Sequence, residues 1–155
     1  MHPPLCIVGP SDAGKTTLLE SLVAELADAG RVGTIKSIHH DIEIDTPRKD
    51  THRHRTAGAD TVVGLTPSLS FEITPGGKDA AGEIALLEAT VDDLRSAGYE
   101  YILIEGFHDA AYPKLVVGDR SVAPPVVARG PPAAVDIPAL ATAMIDGTLV
   151  DTDDT

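Results

Sequence analysis

A glycine-rich loop near the start of the chain constrains the fold more than any other feature of the sequence. The loop, residues 9–16, reads Gly-Pro-Ser-Asp-Ala-Gly-Lys-Thr. It follows an apolar run, residues 5–8, and precedes residues 15–29, whose apolar side chains recur at helical spacing. A glycine, four residues and then Gly-Lys-Thr is the pattern of a phosphate-binding loop, and a strand before it and a helix after it are its required context. The sequence therefore predicts a nucleotide site where the first helix begins.

The residues of the loop have separate physical tasks. Gly9 and Gly14 permit tight turns and a close approach of the backbone to phosphate oxygens. We expect six backbone N–H groups to converge on the phosphate, those of Ser11, Asp12, Ala13, Gly14, Lys15 and Thr16. The positive end of the following helix points to the same place. Lys15 brings a full charge to the β- and γ-phosphates. Thr16 offers a hydroxyl to Mg²⁺, and Thr17 is placed to reach the α-phosphate.

A carboxylate for the same site is expected at the end of a second apolar run. Residues 101–104 are a continuous apolar strand that ends at Glu105-Gly106. A phosphate-binding loop needs a carboxylate near Mg²⁺, usually at the end of a neighbouring buried strand. We therefore expect Glu105 to share the metal with Thr16, although aspartate is the usual residue there. The alternative is a carboxylate that is merely exposed at a strand end.

The remaining apolar patterns predict alternating strands and helices. Strands are expected at residues 5–8, 31–38, 61–66, 69–74, 101–104, 114–117 and 126–128, and helices at residues 15–29, 81–97 and 138–145. Aromatic residues make up only 3% of the chain, so the core must consist mostly of Val, Ile, Leu and Ala. We expect an α/β fold of the P-loop NTPase type, with three layers and a mostly parallel central sheet between helices. Residues 1–150 would form one domain, and the acidic residues 151–155 a frayed tail.

The chain carries a net charge of −12 and a single cysteine, Cys6, which lies in an apolar run. So acidic a surface disfavours nucleic acid and anionic membranes as partners. It is also compatible with life at high salt, where screening weakens the self-repulsion of the chain. No apolar stretch approaches the roughly 18 residues that a bilayer requires, and the start lacks the pattern of a signal peptide. We expect a soluble cytoplasmic protein in which Cys6 is buried and inert.

A long polar segment, residues 39–55, interrupts the alternating pattern and holds four of the six histidines. Its metal-type side chains are His39, His40, Asp41, Asp45, His52 and His54. They match no closed zinc site, and no cysteine joins them. Basic residues are also concentrated here, namely Lys36, Lys49, Arg53 and Arg55. In so acidic a chain, these basic groups favour a site for an anion or a partner over a metal site.

Residues 36–59, which begin Lys-Ser-Ile-His-His-Asp, resemble the signature segment of the MobB family of molybdopterin-guanine dinucleotide biosynthesis adaptors. That family combines the segment with a phosphate-binding loop at the N-terminus. It also carries a strand that ends in Glu-Gly-Phe, as at residues 105–107 here, and a Pro-Lys-hydrophobic strand, as at residues 113–117. The similarity runs in order from Leu5 to about Ala128.

The resemblance implies GTP and Mg²⁺ as ligands, slow hydrolysis at most, and a homodimer. It implies a partner as well: the MobA-like guanylyltransferase that joins GMP to molybdopterin, with molybdopterin itself a candidate ligand. Lys36 then joins the candidate nucleotide-binding residues. Asp41 and Asp45 are the candidates for orienting an attacking water.

The chain departs from the family pattern at several positions. Family members often have His at the position of Ser37 and Gly at that of Arg48. Many also read Val-Ala-x-Asp where residues 127–130 here read Val-Ala-Arg-Gly. The missing aspartate would accept hydrogen bonds from guanine, so its absence bears on selectivity for that base.

Two other functions are open at this stage. A small-molecule kinase or ATP-dependent ligase also uses a phosphate-binding loop, and Lys36 and Arg53 would then line its acceptor pocket. A metal-insertion GTPase would instead use His39, His40, His52 and His54 as ligands for nickel or zinc.

Overall fold

The computed structural model describes residues 2–45, 47 and 49–153. In chain order the elements are β1 Leu5–Val8, α1 Lys15–Ala27, β2 Val32–Lys36, α2 Asp50–Thr56, β3 Val62–Leu65, β4 Ser70–Ile73, α3 Gly77–Ala81, α4 Glu83–Ser96, β5 Tyr101–Glu105, β6 Lys114–Val117, β7 Val126–Gly130 and α5 Ile137–Asp146. A short 3-10 helix, Pro132–Ala134, lies between β7 and α5.

The chain divides into two compact units. The main unit comprises residues 1–37 and 87–155, and the inserted unit comprises residues 38–86. The single domain over residues 1–150 stays a prediction.

The main unit is built on a five-stranded sheet in the order β2-β5-β1-β6-β7, in which every neighbouring pair is parallel. The strand β1 is central, and all four of its residues are buried. Leu22 and Leu26 of α1 pack with Leu140 and Met144 of α5 in the same core cluster as Leu5. Burying each leucine contributes about 1.5–3 kcal/mol, so this cluster is a principal stabilising contact of the unit. The predicted α/β fold with a parallel central sheet is confirmed.

The inserted unit contains two short helices, α2 and α3, that the sequence did not predict. The helix α2 lies at the end of the polar segment and buries none of its side chains. Asp50 in its first turn and Arg53 and Arg55 in its last turn complement the helix dipole. The predicted hairpin of this unit is present as β3 and β4, which are antiparallel with Val62 opposite Ile73.

The described part of the acidic tail, residues 151–153, contacts the edge strand β7, and the frayed tail over residues 151–155 stays a prediction. The carboxylate of Asp151 accepts a hydrogen bond from the Val126 N–H at 3.1 Å. Thr152 donates to the Val126 carbonyl from its backbone at 2.6 Å and from its hydroxyl at 3.0 Å. Arg129 pairs with Asp153 at 3.0 Å. An edge strand offers unpaired backbone groups, and this tail meets those of Val126. Asp154 and Thr155 lie outside the described residues.

None of the helices formed by the described residues is long and apolar enough to cross a membrane. Cys6 lies in the middle of β1, where it is fully buried, as the sequence predicted. Burial raises the pKa of its thiol from 9.0 to about 12, and the positive charge of Lys114 opposes this shift in part. The protonated thiol is therefore the folded-state form at neutral pH.

We predict that Cys6 makes stability fall at alkaline pH. In the unfolded chain the thiol ionises above its ordinary pKa of 9.0, whereas in the folded chain it stays protonated up to about pH 12. Its contribution is thus complete below pH 9 and is lost as the pH rises toward 12. Relative to Cys6→Ala, the wild-type free energy of unfolding should fall by roughly 1.4 kcal/mol between about pH 8 and pH 10. Urea unfolding at each pH measures this, and parallel curves for the two proteins would contradict it.

Candidate functional site

The candidate site lies at the carboxyl edge of the parallel sheet, around the end of the central strand β1. The loop that leaves β1 runs from Gly9 to Gly14, where α1 begins. The neighbouring strand β5 ends at Glu105, which is in register with Ile7 of β1 and with Lys36 of β2. In open parallel sheets, ligands bind in the crevice at this edge.

Close packing fixes the course of the loop. A Cβ atom on Gly9 would lie 2.6 Å from the Val117 carbonyl oxygen, so only glycine fits beside the end of β6. Gly14 caps α1 in the left-handed region with φ 91°, and Asp12 is also left-handed with φ 62°. The first N–H groups of a helix have no partner within it, and alternating backbone hand in a loop makes an anion-binding concavity. The loop therefore has the local geometry for binding phosphate.

Two side-chain contacts hold the ends of the loop. The Lys15 ammonium donates a hydrogen bond to the Gly9 carbonyl at 2.8 Å and so spans the loop. The Thr16 hydroxyl donates to the Glu105 carboxylate at 3.1 Å, although the two residues are 89 positions apart. The structure thus brings the predicted loop residues and the predicted carboxylate together at one point.

The Thr16 hydroxyl and the Glu105 carboxylate suit Mg²⁺. This metal prefers oxygen ligands, and it usually takes only one or two of them from the protein while phosphate and water supply the rest. Thr16 is exposed and Glu105 is half-buried, so a metal ion could reach both groups from solvent.

The other predicted nucleotide-binding residues also lie in the main unit. Ser11, Asp12 and Thr17 are exposed, and Ala13 is half-buried. Lys36 is exposed at the end of β2, directly across the register from Glu105.

The two candidate water-orienting carboxylates lie in the inserted unit. Asp45 forms an ion pair with Arg55 at 2.8 Å, and its side chain is only 4% exposed. Asp41 is exposed. The basic partner of Asp45 makes that carboxylate part of a structural ion pair.

The histidines do not gather around one point in the part of the chain that the structure describes. His39 and His40 are exposed, and His52 and His54 lie on α2. Within that part, no three or more His, Cys, Asp or Glu side chains form a group that could hold a metal ion. Arg48, one of the departures from the family pattern, lies outside the described residues.

Lys114 is a residue of the main unit whose role could not be predicted from the sequence. Its side chain is fully buried at the start of β6. The ammonium donates hydrogen bonds to the carbonyls of Ala110 and Tyr112, the latter at 2.9 Å. Burial lowers the pKa of Lys114. A lysine at the first position of an otherwise apolar strand was the signal that could have drawn attention to it.

A five-stranded parallel sheet, a glycine loop that opens the first helix, and a hydroxyl–carboxylate pair beside it define an α/β protein with a phosphate-binding loop. Comparison with known families then gives the assignment. The family model described as "MobB: Molybdopterin guanine dinucleotide synthesis protein B" matches residues 4–142. The chain belongs to this family, and the resemblance found in its sequence is confirmed.

Curated relatives support the same assignment. The "Molybdopterin-guanine dinucleotide biosynthesis adapter protein" of Escherichia coli is 32% identical over 118 residues, which are 76% of this chain and 66% of that protein. The protein of the same name from Haemophilus influenzae is 32% identical over 127 residues, covering 80% of this chain and 67% of that one. A "Probable molybdopterin synthase" of Haloferax volcanii is 32% identical over 135 residues, but these are only 45% of its length. The chain therefore spans about two thirds of the length of the first two relatives.

Solved structures show the same fold. The crystal structure of Bacillus subtilis MobB matches with a TM-score of 0.67 and 19% identity, over 92% of this chain and 98% of that one. A MobB homologue from Bacillus stearothermophilus matches with a TM-score of 0.59 and 20% identity, over 90% and 96% of the two chains. At this level of identity the likeness concerns the fold.

We predict that Gly106, which follows Glu105, tolerates no side chain. Its φ is 107°, and an added Cβ would lie 2.7 Å from the Cβ of buried Ser37. Gly118 is the matched control, because its φ is 102° and an added Cβ would meet nothing within 4 Å. Both alanine variants should lose about 1–2 kcal/mol to the left-handed backbone, and Gly106→Ala roughly 1–3 kcal/mol more to the clash. Urea unfolding measures both, and equal losses would contradict the prediction.

Proposed function

We propose that this chain binds GTP with Mg²⁺ and acts as an adaptor in the synthesis of molybdopterin guanine dinucleotide. In this role it assists a MobA-like guanylyltransferase, the enzyme that joins GMP to molybdopterin. Family membership over residues 4–142 supports the pathway. The geometry of the phosphate-binding loop supports the ligand.

The observation that carries the nucleotide part of the proposal is the contact between Thr16 and Glu105 beside the loop that Lys15 spans. The Lys15 ammonium now rests on a neutral carbonyl, and it would exchange this acceptor for charged phosphate oxygens, which make stronger hydrogen bonds. Thr16 and Glu105 would hold Mg²⁺, which neutralises charge on the phosphates when it is bound. The N–H groups of residues 11–16 would orient the same phosphates.

Hydrolysis by this site would be slow. Asp45 forms an ion pair with Arg55 and Asp41 is exposed, and no contact among the described residues prepares either carboxylate to orient a water. The chain is then at most a slow GTPase. Nucleotide binding, rather than turnover, would be what the partner senses.

We propose GTP rather than ATP because of membership in the family. The end of β7 offers no carboxylate at position 130 to accept hydrogen bonds from guanine. Gly130 stands where many members carry the aspartate that would accept hydrogen bonds from guanine. The neighbouring Arg129 donates to the Arg120 carbonyl at 2.8 Å and pairs with Asp153. A clear preference for ATP would instead favour the kinase or ligase function.

The proposal includes a homodimer in the cytoplasm. The hairpin of the inserted unit exposes large apolar side chains, among them Val63, Leu65 and Leu69, whose exposed fractions are 58%, 80% and 69%. Exposed apolar groups of this size are typical of interaction surfaces.

We also propose that the protein works at high salt. Its net charge of −12 fits such conditions, because salt screens the repulsion among the acidic groups.

We predict that Lys15→Ala abolishes the binding of GTP. Lys15 is the only basic residue of the loop, residues 9–16, and phosphate binding depends on its positive charge. Lys78→Ala is the matched control, because it removes the same charge from the inserted unit. Calorimetric titration with GTP and with ATP, each with Mg²⁺, gives both the affinity and the preference for a base. Tight binding of GTP by Lys15→Ala would overturn the proposed site.

We also predict that a MobA-like guanylyltransferase forms a complex with this chain that depends on GTP and Mg²⁺. An adaptor that signals through its nucleotide must present a different surface when the nucleotide is bound. Size-exclusion chromatography of the mixed proteins should show the complex with wild type and GTP, and should show much less of it with Lys15→Ala. If wild type and Lys15→Ala form equal amounts of the complex, the guanylyltransferase is still a partner, but its binding does not depend on the nucleotide.

A further inference from the structure

The connection between β5 and β6, residues 106–113, begins at the candidate site directly after Glu105. It runs back to the edge of the sheet where the parallel strands begin. Both ends of the Glu105 peptide are held: its carbonyl accepts from the Ser37 N–H at 2.9 Å, and the Gly106 N–H donates to the Ile7 carbonyl at 2.9 Å. The position of the carboxylate therefore depends on how well the start of this connection is fixed.

The start of the connection is strained. Gly106 and Phe107 both have positive φ, and the φ of Phe107 is 60°. A side chain in the left-handed region is unfavourable and persists only where its surroundings enforce it. Phe107 is buried, and its carbonyl accepts a hydrogen bond from the Ala110 N–H at 3.1 Å. Ala110 thus closes the strained turn.

Lys114 also contacts Ala110, through the carbonyl group of that residue. Its ammonium donates to the carbonyls of Ala110 and Tyr112 and so binds the connection at two points. The ion pairs among the described residues do not include Lys114, although its side chain is completely buried. A buried ammonium is costly, so its placement against two neutral carbonyls needs a reason beyond filling space.

We propose that Lys114 is a positioning residue for the metal-binding edge: it anchors the connection after Glu105 and so keeps the carboxylate opposite Thr16. This inference rests on the proposed function, because the metal is the one that would accompany a bound nucleoside triphosphate. Lys114 acts through Ala110 and the turn at Phe107, and it does not itself touch the ligand. Outer partners of this kind tune metal affinity in proteins.

The test compares the affinity for GTP with and without Mg²⁺, measured by calorimetry. The gain in affinity on adding Mg²⁺ isolates the metal-binding pair, whereas the affinity in EDTA reports on the loop and Lys15. Lys114→Met should lose roughly 10-fold to 100-fold of whatever gain the wild type shows, and should keep the affinity in EDTA. Glu105→Gln, which removes the carboxylate charge, should lose the same gain. Lys78→Met is the control, because Lys78 also donates to a backbone carbonyl, that of Ile38 at 3.0 Å.

Two results would overturn the positioning role. One is a folded Lys114→Met variant with the full Mg²⁺ gain. The other is an equal loss of affinity with and without Mg²⁺, which is what a purely structural lysine would produce. If Lys114→Met does not fold by circular dichroism, Lys114→Gln replaces it, because its amide can still donate to one carbonyl.

Hydrogen exchange in the nucleotide-free chain separates this inference from the proposed function. The Ala110 and Gly106 N–H groups should exchange about tenfold faster in Lys114→Met than in Lys78→Met, because local opening of the connection becomes easier. The Leu140 N–H, which bonds to the Asp136 carbonyl in α5, should be unchanged and serves as the internal reference. If wild type binds no triphosphate, the proposed function fails. Hydrogen exchange still tests the role of Lys114 in that case, because unchanged exchange at Ala110 and Gly106 would refute it.

Discussion

The hydrogen bond between Thr16 and Glu105 is the contact on which the proposed site depends. It joins the first turn of α1 to the end of β5, and it exists because β1 and β5 are parallel and in register. A parallel pair places both carboxyl ends at one edge, so a residue early in the chain can meet one that is 89 positions further on. The sheet order that puts β5 beside β1 is therefore as much a part of the site as the loop itself.

The sequence predicted some elements to the residue and missed others for physical reasons. The strands β1 and β6 were predicted with their correct bounds because buried parallel strands leave apolar runs, which span all of β1 and follow Lys114 in β6. The helix α2 buries no side chain, so it carries no periodic signal. The ties of Asp151 and Thr152 to β7 were missed because they depend on which strand lies at the edge of the sheet.

The same distinction applies to the site. The loop residues are contiguous, and their spacing between an apolar strand and a helix indicates phosphate binding. Glu105 was predicted from its place at a strand end, and its carboxylate lies 3.1 Å from the Thr16 hydroxyl. Lys114 could not be understood in advance, because its partners are main-chain carbonyls, which leave no trace in the sequence. The tight approach of Gly106 to Ser37 likewise depends on two strands that are distant in sequence and adjacent only in the sheet.

The acidic end of the chain also affects how copies of the protein meet. The strand β7 lies at one margin of the main sheet, and Asp151 and Asp153 are held against it. The Asp151 carboxylate and the Arg129–Asp153 ion pair therefore occupy part of the margin at which another strand would have to pair. Natural sheets use charge in this way to discourage fibril-like stacking. Asp151 and Asp153 thus place acidic groups along the open margin of the main sheet.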